Sequence, residues 1–277
     1  MLHDFLIQYV RTKQNKKVKA TLGTLLEQLK SRADLQLSHT LPYYNPVTEP
    51  KNRIDRLILQ HGIVTIAHVL PAENQVVIAS GFGIHHGELI VTCAHPFYQA
   101  GAILSKNNVA NDQSQSLIIT HQGELVSVEA IKTHLVLSDL VLLTLDEGKK
   151  VNPLPIDPFP PPISTSLISY EFISASILDK TTPMVSADWK SANVLYYRDQ
   201  NGHEAESGTY DQLSCLLYSH MPTLGSSGGP ILNKDTNTVV GIIRGNEMNY
   251  SLRKQIGFAT PSECLFEAFQ LPGMSNE

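Results

Sequence analysis

Short apolar runs, which recur from about residue 57 to the end of the chain, restrict the fold more than any other feature of the sequence. Each run is rich in Val, Ile and Leu and is bounded by Gly, Asn or Asp. The runs are HGIVTIAHVL, NQVVIASGFGI, ELIVT and HLVLSDLVLLTL, followed by TSLISYEFISASI, NVLYYRD, QLSCLLYS, GGPILN and TVVGIIRG. Runs of this kind between turn-forming residues are typical of β-strands. The pattern predicts an all-β fold without an internal repeat.

A proline-rich stretch divides these runs into two groups. The segment VNPLPIDPFPPP at residues 151–162 holds six prolines. Because proline donates no ladder hydrogen bond, this segment does not form a central strand. We interpret 151–165 as a connector between a first lobe at 56–150 and a second lobe at 166–277.

Residues 1–55 precede the strand pattern and are predicted to form a helical extension. Between residues 18 and 33, apolar side chains recur at three- and four-residue spacing, which predicts a helix with one apolar stripe. The stripe packs on the lobe that follows, or it docks a protein partner; the sequence leaves both roles open. The turn-rich segment TLPYYNPVTEPKNR at 40–53 is predicted to be a linker.

Composition argues against several classes of protein. A chain of 277 residues with 42% hydrophobic residues can bury a large core, and a net charge of -5 does not favour nucleic-acid binding. No apolar run approaches the roughly 18 residues of a membrane span. Three cysteines do not make a disulfide framework, which is typical of a reducing compartment. We therefore expect a cytoplasmic or nuclear protein, and the basic N-terminus leaves mitochondrial import open.

The hexapeptide GSSGGP at residues 225–230 is the sharpest local motif. Closely spaced glycines let the backbone turn tightly and present a serine beside unobstructed N–H groups, so Ser227 is a candidate nucleophile. The motif also fits the nucleophile elbow of α/β-hydrolases. That fold needs a histidine after the serine, whereas the last histidine of this chain is His220. The general base must therefore lie upstream.

Two upstream residues complete a candidate catalytic set. LIVTCAHPF at 89–97 indicates a buried strand that ends in a turn at His95, which is a rigid mount for a general base. Asp139 lies within HLVLSDLVLLTL, where a carboxylate amid apolar residues must be hydrogen-bonded or paired. A buried carboxylate that accepts the N–H of a histidine fixes the tautomer of that base. His95, Asp139 and Ser227 are the predicted triad.

Together, VTCAHP, SDLVLLTL and GSSGGP resemble the three triad motifs of the chymotrypsin-like, or trypsin-like, serine proteases. The order His, Asp, Ser is the same, and the separations of 44 and 88 residues are similar to the family's intervals of about 45 and about 90. SGFGIHHGELIVTCAH and GFATPS look closest to intracellular HtrA-type and related trypsin-like peptidases. The resemblance covers residues 57–270.

This resemblance implies a fold, an activity and a set of site residues. It implies two six-stranded antiparallel β-barrels of the chymotrypsin-like fold, with the triad in the cleft between them. It also implies a serine endopeptidase that acts on polypeptides and needs no cofactor and no metal. The backbone N–H groups of Gly225 and Ser227 would form the oxyanion hole. The substrate pocket would be lined by Met221, Arg244, Gly245 and Gly257.

The pocket residues predict the specificity at P1. Met221 offers an apolar floor, and Gly245 and Gly257 leave room beside it, so we expect cleavage after apolar residues of medium size. Arg244 leaves two alternatives open: its guanidinium turns inward and pairs with an acidic P1 residue, or only its backbone takes part. Basic P1 residues are not expected, because the floor position holds no aspartate.

Departures from the family pattern lead to further predictions. Ser226 stands where secreted members have an aspartate that pairs with a newly cleaved N-terminus, so we expect activity without proteolytic maturation. Pro96 and Thr223 stand where cysteines often occur, in keeping with a chain that has no disulfide framework. The 50 residues after Ser227 are enough for the second barrel, and we expect no PDZ domain.

Other interpretations of the same residues lead to different functions. A pseudoprotease would keep the fold as a protein-binding module without turnover, and loop geometry decides between the two. Cys93 lies close to His95, but neighbours on a strand do not form a nucleophile–base pair, so we expect a core residue. His85 and His86 are predicted on a strand or hairpin with side chains on opposite faces, which disfavours a zinc site.

Overall fold

Six antiparallel strands form the first barrel. A computed structural model describes residues 2–12, 20–38, 59–105, 113–178, 182–207 and 213–269 of the chain. The strands are β1 (Ile63–Leu70), β2 (Gln75–Ile84), β3 (Leu89–Cys93), β4 (Gln115–Ile119), β5 (Leu125–Leu135) and β6 (Leu140–Leu145). They close in the order β1-β2-β3-β6-β5-β4. Every residue of β1 is buried, because helices cover part of the outer face while alternate side chains fill the interior.

Seven strands form the second lobe. They are β7 (Ser166–Leu178), β8 (Thr182–Asp199), β9 (Glu204–Ala205), β10 (Leu213–Tyr218), β11 (Pro230–Asn233), β12 (Val239–Asn249) and β13 (Lys254–Pro261). Their order is β10-β13-β12-β11-β7-β8-β9, and an additional pairing of β10 with β8 closes six of them into a ring. The prediction of two six-stranded antiparallel barrels is confirmed.

Helix α2 (Leu22–Ser31) lies within the region where the sequence predicts a helix. Thr21 caps it, because the Thr21 side chain accepts a hydrogen bond from the Thr24 N–H at 3.2 Å. Leu22, Leu25 and Leu29 of its apolar stripe are fully buried against the first barrel, and Leu26 is partly buried. A side-chain oxygen of Gln28 accepts the Ile131 N–H of β5 at 2.8 Å. The apolar stripe of the helix thus packs on the lobe that follows.

Two more α-helices flank the first barrel. Helix α1 (Leu2–Thr12) buries Leu6 and Val10 against the outer face of β1 and β4. Helix α3 (His95–Ser105) follows β3, and three short 3-10 helices lie at His85–Gly87, Asp146–Gly148 and Ser262–Ala268. None of the helices in the described ranges is long and apolar enough to cross a membrane. The linker predicted at 40–53 lies outside the described residues.

The two barrels share a buried apolar cluster. It contains Phe82 and Leu142 of the first barrel together with Ile168 and Ile242 of the second. The proline-rich connector at 151–165 contacts both barrels through isolated bridges to Gly83 and Val239 and forms no strand. All three cysteines are free thiols. The barrels therefore pack as one body, with the ends of several strands meeting at their junction.

Candidate active site

The pairing of β3 with β6 places His95 next to Asp139. In this antiparallel pair Cys93 lies opposite Leu140, so the end of β3 and the start of β6 share one edge of the barrel. His95 begins α3, and Asp139 directly precedes β6. The φ of Asp139 is +57°, in the left-handed region that aspartate tolerates better than most residues. Two local turns thus bring the base and the carboxylate together.

The carboxylate of Asp139 makes three hydrogen bonds to the turn that carries His95. Oδ2 accepts the Nδ1–H of His95 at 2.7 Å. Oδ1 accepts the backbone N–H groups of Ala94 and His95 at 3.1 and 2.9 Å. The Asp139 side chain is 15% exposed and the imidazole 44%. Because Nδ1 donates, Nε2 is left as the nitrogen that accepts a proton, as a general base requires.

Two glycines with positive φ shape the loop that carries Ser227. Gly225 and Gly228 have φ values of +90° and +87°, a region that residues with side chains rarely adopt. A side chain on Gly228 would collide with the Ser80 carbonyl and with Thr92 Oγ1. Thr92 lies on β3, the strand that leads to the candidate base. The loop of the second barrel therefore lies directly against that strand of the first.

Ser80 of β2 anchors this loop from the first barrel. Its N–H donates to Ser227 O at 2.8 Å, and its Oγ donates to Gly225 O at 2.8 Å. The Ser80 carbonyl accepts the Thr92 hydroxyl at 2.8 Å, which ties β2 to β3 at this point. Ser80 is the first residue of SGFGIHHGELIVTCAH, but the resemblance gives it no part in the site. Its one signal is the glycine after it in an apolar run, which marks a close backbone approach.

The two serines of GSSGGP lie in different environments. Ser226 is fully buried; its Oγ accepts the Phe172 N–H at 3.1 Å and lies 2.8 Å from Thr223 Oγ1. Ser227 is partly exposed, and its Oγ donates to the Arg244 carbonyl at 3.2 Å. Within the described residues no hydrogen bond joins Ser227 to the imidazole. Of the pair, Ser227 is the serine that a substrate can reach.

A buried carboxyl group lies behind the loop. Glu171 of β7 is fully buried, and its oxygens accept the Ser169 hydroxyl at 2.6 Å and the Thr223 N–H at 3.1 Å. His220 Nε2 lies 3.2 Å from the same carboxyl group. No sequence motif marks Glu171, which belongs to an ordinary strand pattern. Its partners connect β7 to the chain segment just before Ser227.

Cys93 is a core residue, as the sequence predicts. Its side chain is fully buried, and its Sγ donates to Ile243 O at 3.2 Å. Burial raises the pKa of the thiol well above its ordinary value. In the part of the chain that the structure describes, one set of three side chains could supply ligands to a metal ion. It consists of Cys93, His95 and Asp139, whose ligand atoms lie within 4.8 Å of one another. Because Cys93 Sγ and the Asp139 carboxylate are already engaged in hydrogen bonds within the protein, we assign no metal to this group.

His85 and His86 lie in the turn of the hairpin that joins β2 to β3 and not on a strand, so strand alternation does not place their side chains on opposite faces. They belong to the 3-10 turn after β2 and have φ values of 48° and 58°. The two ring centroids lie 5.3 Å apart. Among the described residues no group of three ligand-type atoms includes either histidine.

Three of the predicted pocket residues lie near aromatic rings or at the surface. Met221 is 45% exposed. Gly245 and Gly257 lie on the paired strands β12 and β13. A side chain on Gly257 would collide with the Tyr218 ring, and one on Gly245 would begin 3.2 Å from the Phe258 ring. The space beside both glycines is therefore narrower than the sequence predicts.

Arg244, the fourth pocket residue, extends towards the carboxylate of the base. Its Nε lies 3.7 Å from Asp139 Oδ2, and its Cζ lies 5.5 Å from the centre of the Phe258 ring. The side chain is 25% exposed. This Nε is buried and has no hydrogen-bond partner among the described residues. The guanidinium of Arg244 from the second barrel thus lies within ion-pair distance of Asp139 from the first barrel. The Arg244 carbonyl faces Ser227.

Comparison with known proteins gives this geometry a family context. A profile of the trypsin-like peptidase domain matches residues 79–242, more than half of the chain. No curated protein matches the sequence. Among solved structures, the apo form of the MamO protease domain from Magnetospirillum magneticum is 14% identical with a TM-score of 0.50. The match covers 77% of this chain and 98% of that one.

Two structures of Rv3671c from M. tuberculosis H37Rv are also similar to this chain. The active form is 14% identical with a TM-score of 0.50, covering 86% of this chain and 94% of that one. The inactive form of a serine-to-alanine mutant is 14% identical with a TM-score of 0.51, covering 83% and 100%. These likenesses support the fold. Because the profile matches more than half of this chain, the chain belongs to the family of trypsin-like peptidase domains.

Proposed function

We propose that the chain is a serine endopeptidase that hydrolyses polypeptides with His95, Asp139 and Ser227. The observation that carries the proposal is the 2.7 Å hydrogen bond from His95 Nδ1 to a carboxylate whose other oxygen accepts two backbone N–H groups. A carboxylate held in this way fixes one tautomer of the imidazole and stabilises the imidazolium that forms during the reaction. The loop of Ser227 packs against the strand that ends at this base.

In the proposed reaction, His95 Nε2 takes the proton of Ser227 Oγ while this oxygen attacks the peptide carbonyl carbon. The imidazolium then gives its proton to the leaving amine, and an acyl-enzyme remains. Water, deprotonated by the same Nε2, releases the acid product and restores the serine. For the first step the hydroxyl must rotate away from the Arg244 carbonyl, its 3.2 Å partner in the structure.

The backbone N–H groups of Gly225 and Ser227 are proposed to bind the oxyanion. Among the described residues neither group donates a hydrogen bond within the protein, so both remain available to a substrate. The left-handed φ of Gly225 and the 2.8 Å hydrogen bond from Ser80 Oγ to its carbonyl define the direction of this backbone. A donor of this kind contributes about 3–4 kcal/mol to transition-state stabilisation in comparable enzymes.

An apolar P1 residue fits the surroundings of Ser227 better than an acidic one. The guanidinium of Arg244 already lies beside Asp139, so it does not offer a free cation to a substrate carboxylate. Met221 and the partly exposed ring of Phe258 present apolar surface instead. We propose cleavage after small to medium apolar residues, because the rings of Tyr218 and Phe258 narrow the pocket. A peptide library read by mass spectrometry tests this, and dominant acidic or basic P1 residues would contradict it.

A pseudoprotease is the second candidate function, and one contact favours it. The Ser227 hydroxyl is directed at the Arg244 carbonyl and makes no hydrogen bond to His95 within the described residues. A chain that kept this arrangement with a peptide in place would bind its partner without turnover. The fold and the carboxylate–imidazole pair are the same in both proposals.

Labelling with a fluorophosphonate probe separates the two functions. The probe reacts with a serine that an adjacent base activates. For a peptidase, we expect the unprocessed full-length chain to be labelled, Ser227→Ala to lose labelling and Ser226→Ala to keep most of it, since Ser226 is buried. An unlabelled wild-type chain that still binds peptides would establish the pseudoprotease. Equal loss in both serine variants would refute Ser227 as the nucleophile.

A further inference from the structure

We infer that Glu171 is a positioning residue that holds segment 220–226 in the arrangement that Ser227 needs. Glu171 does not belong to the proposed triad, yet its carboxyl group is fully buried and bonded to this segment. The part of the inference that concerns catalysis rests on the proposed peptidase function. The part that concerns the order of the loop is independent of it.

Glu171 reaches the segment at two points. Its carboxyl oxygens accept the Thr223 N–H at 3.1 Å and lie 3.2 Å from His220 Nε2. Ser169, two residues earlier on β7, donates its hydroxyl at 2.6 Å and so fixes the orientation of the carboxyl group. The Glu171 side chain has no exposure to solvent, whereas that of His220 is 31% exposed. The contact between Glu171 and His220 is therefore buried at the Glu171 end and partly exposed at the His220 end.

The residue after Glu171 continues the contact along the loop. The Phe172 N–H donates to Ser226 Oγ at 3.1 Å, and the Phe172 carbonyl accepts the Thr223 hydroxyl. The Phe172 ring lies against Gly225, with Cδ1 2.9 Å from the position that a Cβ would take there. Two consecutive residues of β7 thus contact the segment from Thr223 to Ser226, which includes a proposed oxyanion donor.

Burial makes Glu171 and the loop depend on each other. A buried carboxyl group is destabilising unless donors satisfy it, and two of the donors near Glu171 belong to the segment before Ser227. The buried hydroxyl of Tyr218 has no hydrogen-bond partner among the described residues, so it does not replace these donors. Without the carboxyl group, Thr223 N–H loses its acceptor and the segment loses its most buried anchor.

Disorder of this segment would act on the reaction in a recognisable way. Gly225 N–H stabilises the oxyanion in the transition state and contributes little to the bound substrate. A loop that is correctly placed for only part of the time therefore lowers kcat and the rate of probe labelling, and changes KM less. A general loss of folding stability would instead lower the temperature of unfolding and speed hydrogen–deuterium exchange throughout the chain.

Glu171→Gln is the direct test, because it keeps the size of the side chain and replaces one acceptor oxygen with an NH₂ donor. The NH₂ group can donate to the Ser169 hydroxyl, so only one oxygen remains to accept from Thr223 N–H and His220 Nε2. We expect the rate of fluorophosphonate labelling and kcat to fall about ten- to a hundredfold, with KM changed by less than about threefold. Hydrogen–deuterium exchange in peptides that cover 220–229 should become faster, while peptides of β1 to β3 stay unchanged.

Glu263→Gln is the matched control. Glu263 is a half-buried carboxyl group in the 3-10 helix Ser262–Ala268 that accepts a hydrogen bond from the Leu213 backbone. Its variant should label at the wild-type rate. Should Glu171→Gln fail to fold, His220→Ala removes one loop partner and leaves the carboxyl group in place. A smaller loss of labelling with faster hydrogen–deuterium exchange at 220–229 is expected.

Three results would overturn the inference. The first is wild-type labelling of Glu171→Gln together with unchanged hydrogen–deuterium exchange at 220–229. The second is faster exchange across the whole chain in Glu171→Gln. The third is an equal loss of labelling in Glu263→Gln. If the wild-type chain is not labelled at all, the proposed peptidase function fails. The exchange measurement then still decides whether Glu171 orders the loop, because it needs no turnover.

Discussion

The two halves of the candidate site are held in different ways. His95 and Asp139 come from neighbouring strands of one barrel, and backbone N–H groups of the same turn bind the carboxylate. Ser227 lies on a loop of the other barrel, whose hydrogen bonds come from Ser80 of the first barrel and from Glu171 of β7. Contacts within one barrel hold the base, whereas the loop of the nucleophile also depends on contacts between the two barrels.

This difference also appears in the separation of the partners along the chain. Asp139 is 44 residues from His95, on an adjacent strand whose register fixes their meeting. Ser80 is 145 residues from Gly225, and the two belong to different barrels. Contacts between barrels are lost when either barrel shifts, so the nucleophile loop is expected to lose order under milder perturbation than the base. Each prediction below tests one side of this comparison.

Asp139→Asn removes the carboxylate that orients His95 and leaves the contacts of the Ser227 loop intact. This variant has the largest expected effect. The amide keeps one oxygen for the backbone N–H groups of Ala94 and His95, so folding should be preserved. Its NH₂ group would face His95 Nδ1 and favour the wrong tautomer. By analogy with other triads, kcat should fall about 10⁴-fold. Peptide hydrolysis with thermal unfolding as the check on folding measures this, and near-normal kcat would assign another carboxylate to the base.

Gly228→Ala perturbs the contact between the barrels. Gly228 has a φ of +87°, and a side chain there would collide with the Ser80 carbonyl and Thr92 Oγ1. Backbone strain of this kind costs about 1–3 kcal/mol. Displacement of the loop by about 1 Å is expected to slow probe labelling roughly a hundredfold.

Gly202→Ala is the control for backbone strain alone. Gly202 has a φ of +82°, but nothing lies within 4 Å of the position that its Cβ would take. This variant should lose some stability and label at the wild-type rate. If the two glycine variants label at the same rate, the packing of the loop on β3 does not position Ser227, and the comparison between local and distant contacts fails for this half.

The sequence predicts His95, Asp139 and Ser227 themselves, but it does not predict the side chains that hold the loop of Ser227. Asp139 stands out because a carboxylate in an apolar strand needs a donor, and His95 because it ends such a strand. Ser80 and Glu171 have no comparable mark. Each belongs to a strand pattern that many serines and glutamates share, and its partner is defined only when two barrels meet. Strand periodicity predicts the barrels, but periodicity carries no information about which loops they bring together.

Ser80→Ala is expected to have a smaller effect, because it removes one of two hydrogen bonds. The bond from Ser80 Oγ to Gly225 O is lost, while the bond from its N–H to Ser227 O remains. A hydrogen bond of this type contributes about 0.5–1.5 kcal/mol, so labelling should slow about two- to tenfold. Ser105→Ala on the exposed end of α3 is the control and should change nothing. A loss of a thousandfold would give Ser80 a direct part in the chemistry.

The smallest effect on activity is expected at His68, whose replacement changes the first barrel without touching the loop. The imidazole is fully buried; its Nδ1 lies 2.9 Å from Ser116 Oγ, and its ring centre lies 4.2 Å from that of Phe97. Its Nε2 has no hydrogen-bond partner among the described residues. Burial lowers the pKa of His68 from 6.5 to about 3. The folded protein therefore keeps this imidazole neutral throughout the mildly acidic range.

The unfolded chain binds a proton at His68 below about pH 6.5, whereas the folded chain does so only near pH 3. The contribution of the neutral imidazole to stability is thus complete above pH 6.5 and is lost as the pH falls towards 3, by up to roughly 1.4 kcal/mol per pH unit. His68→Gln does not titrate, so its free energy of unfolding, measured in urea between pH 4 and 8, should fall less steeply with acid. Labelling at pH 8 should match the wild type, and the exposed control His203→Gln should keep the wild-type slope. Equal slopes for wild type and His68→Gln would show that the buried neutral imidazole of His68 does not make the stability of the first barrel sensitive to acid.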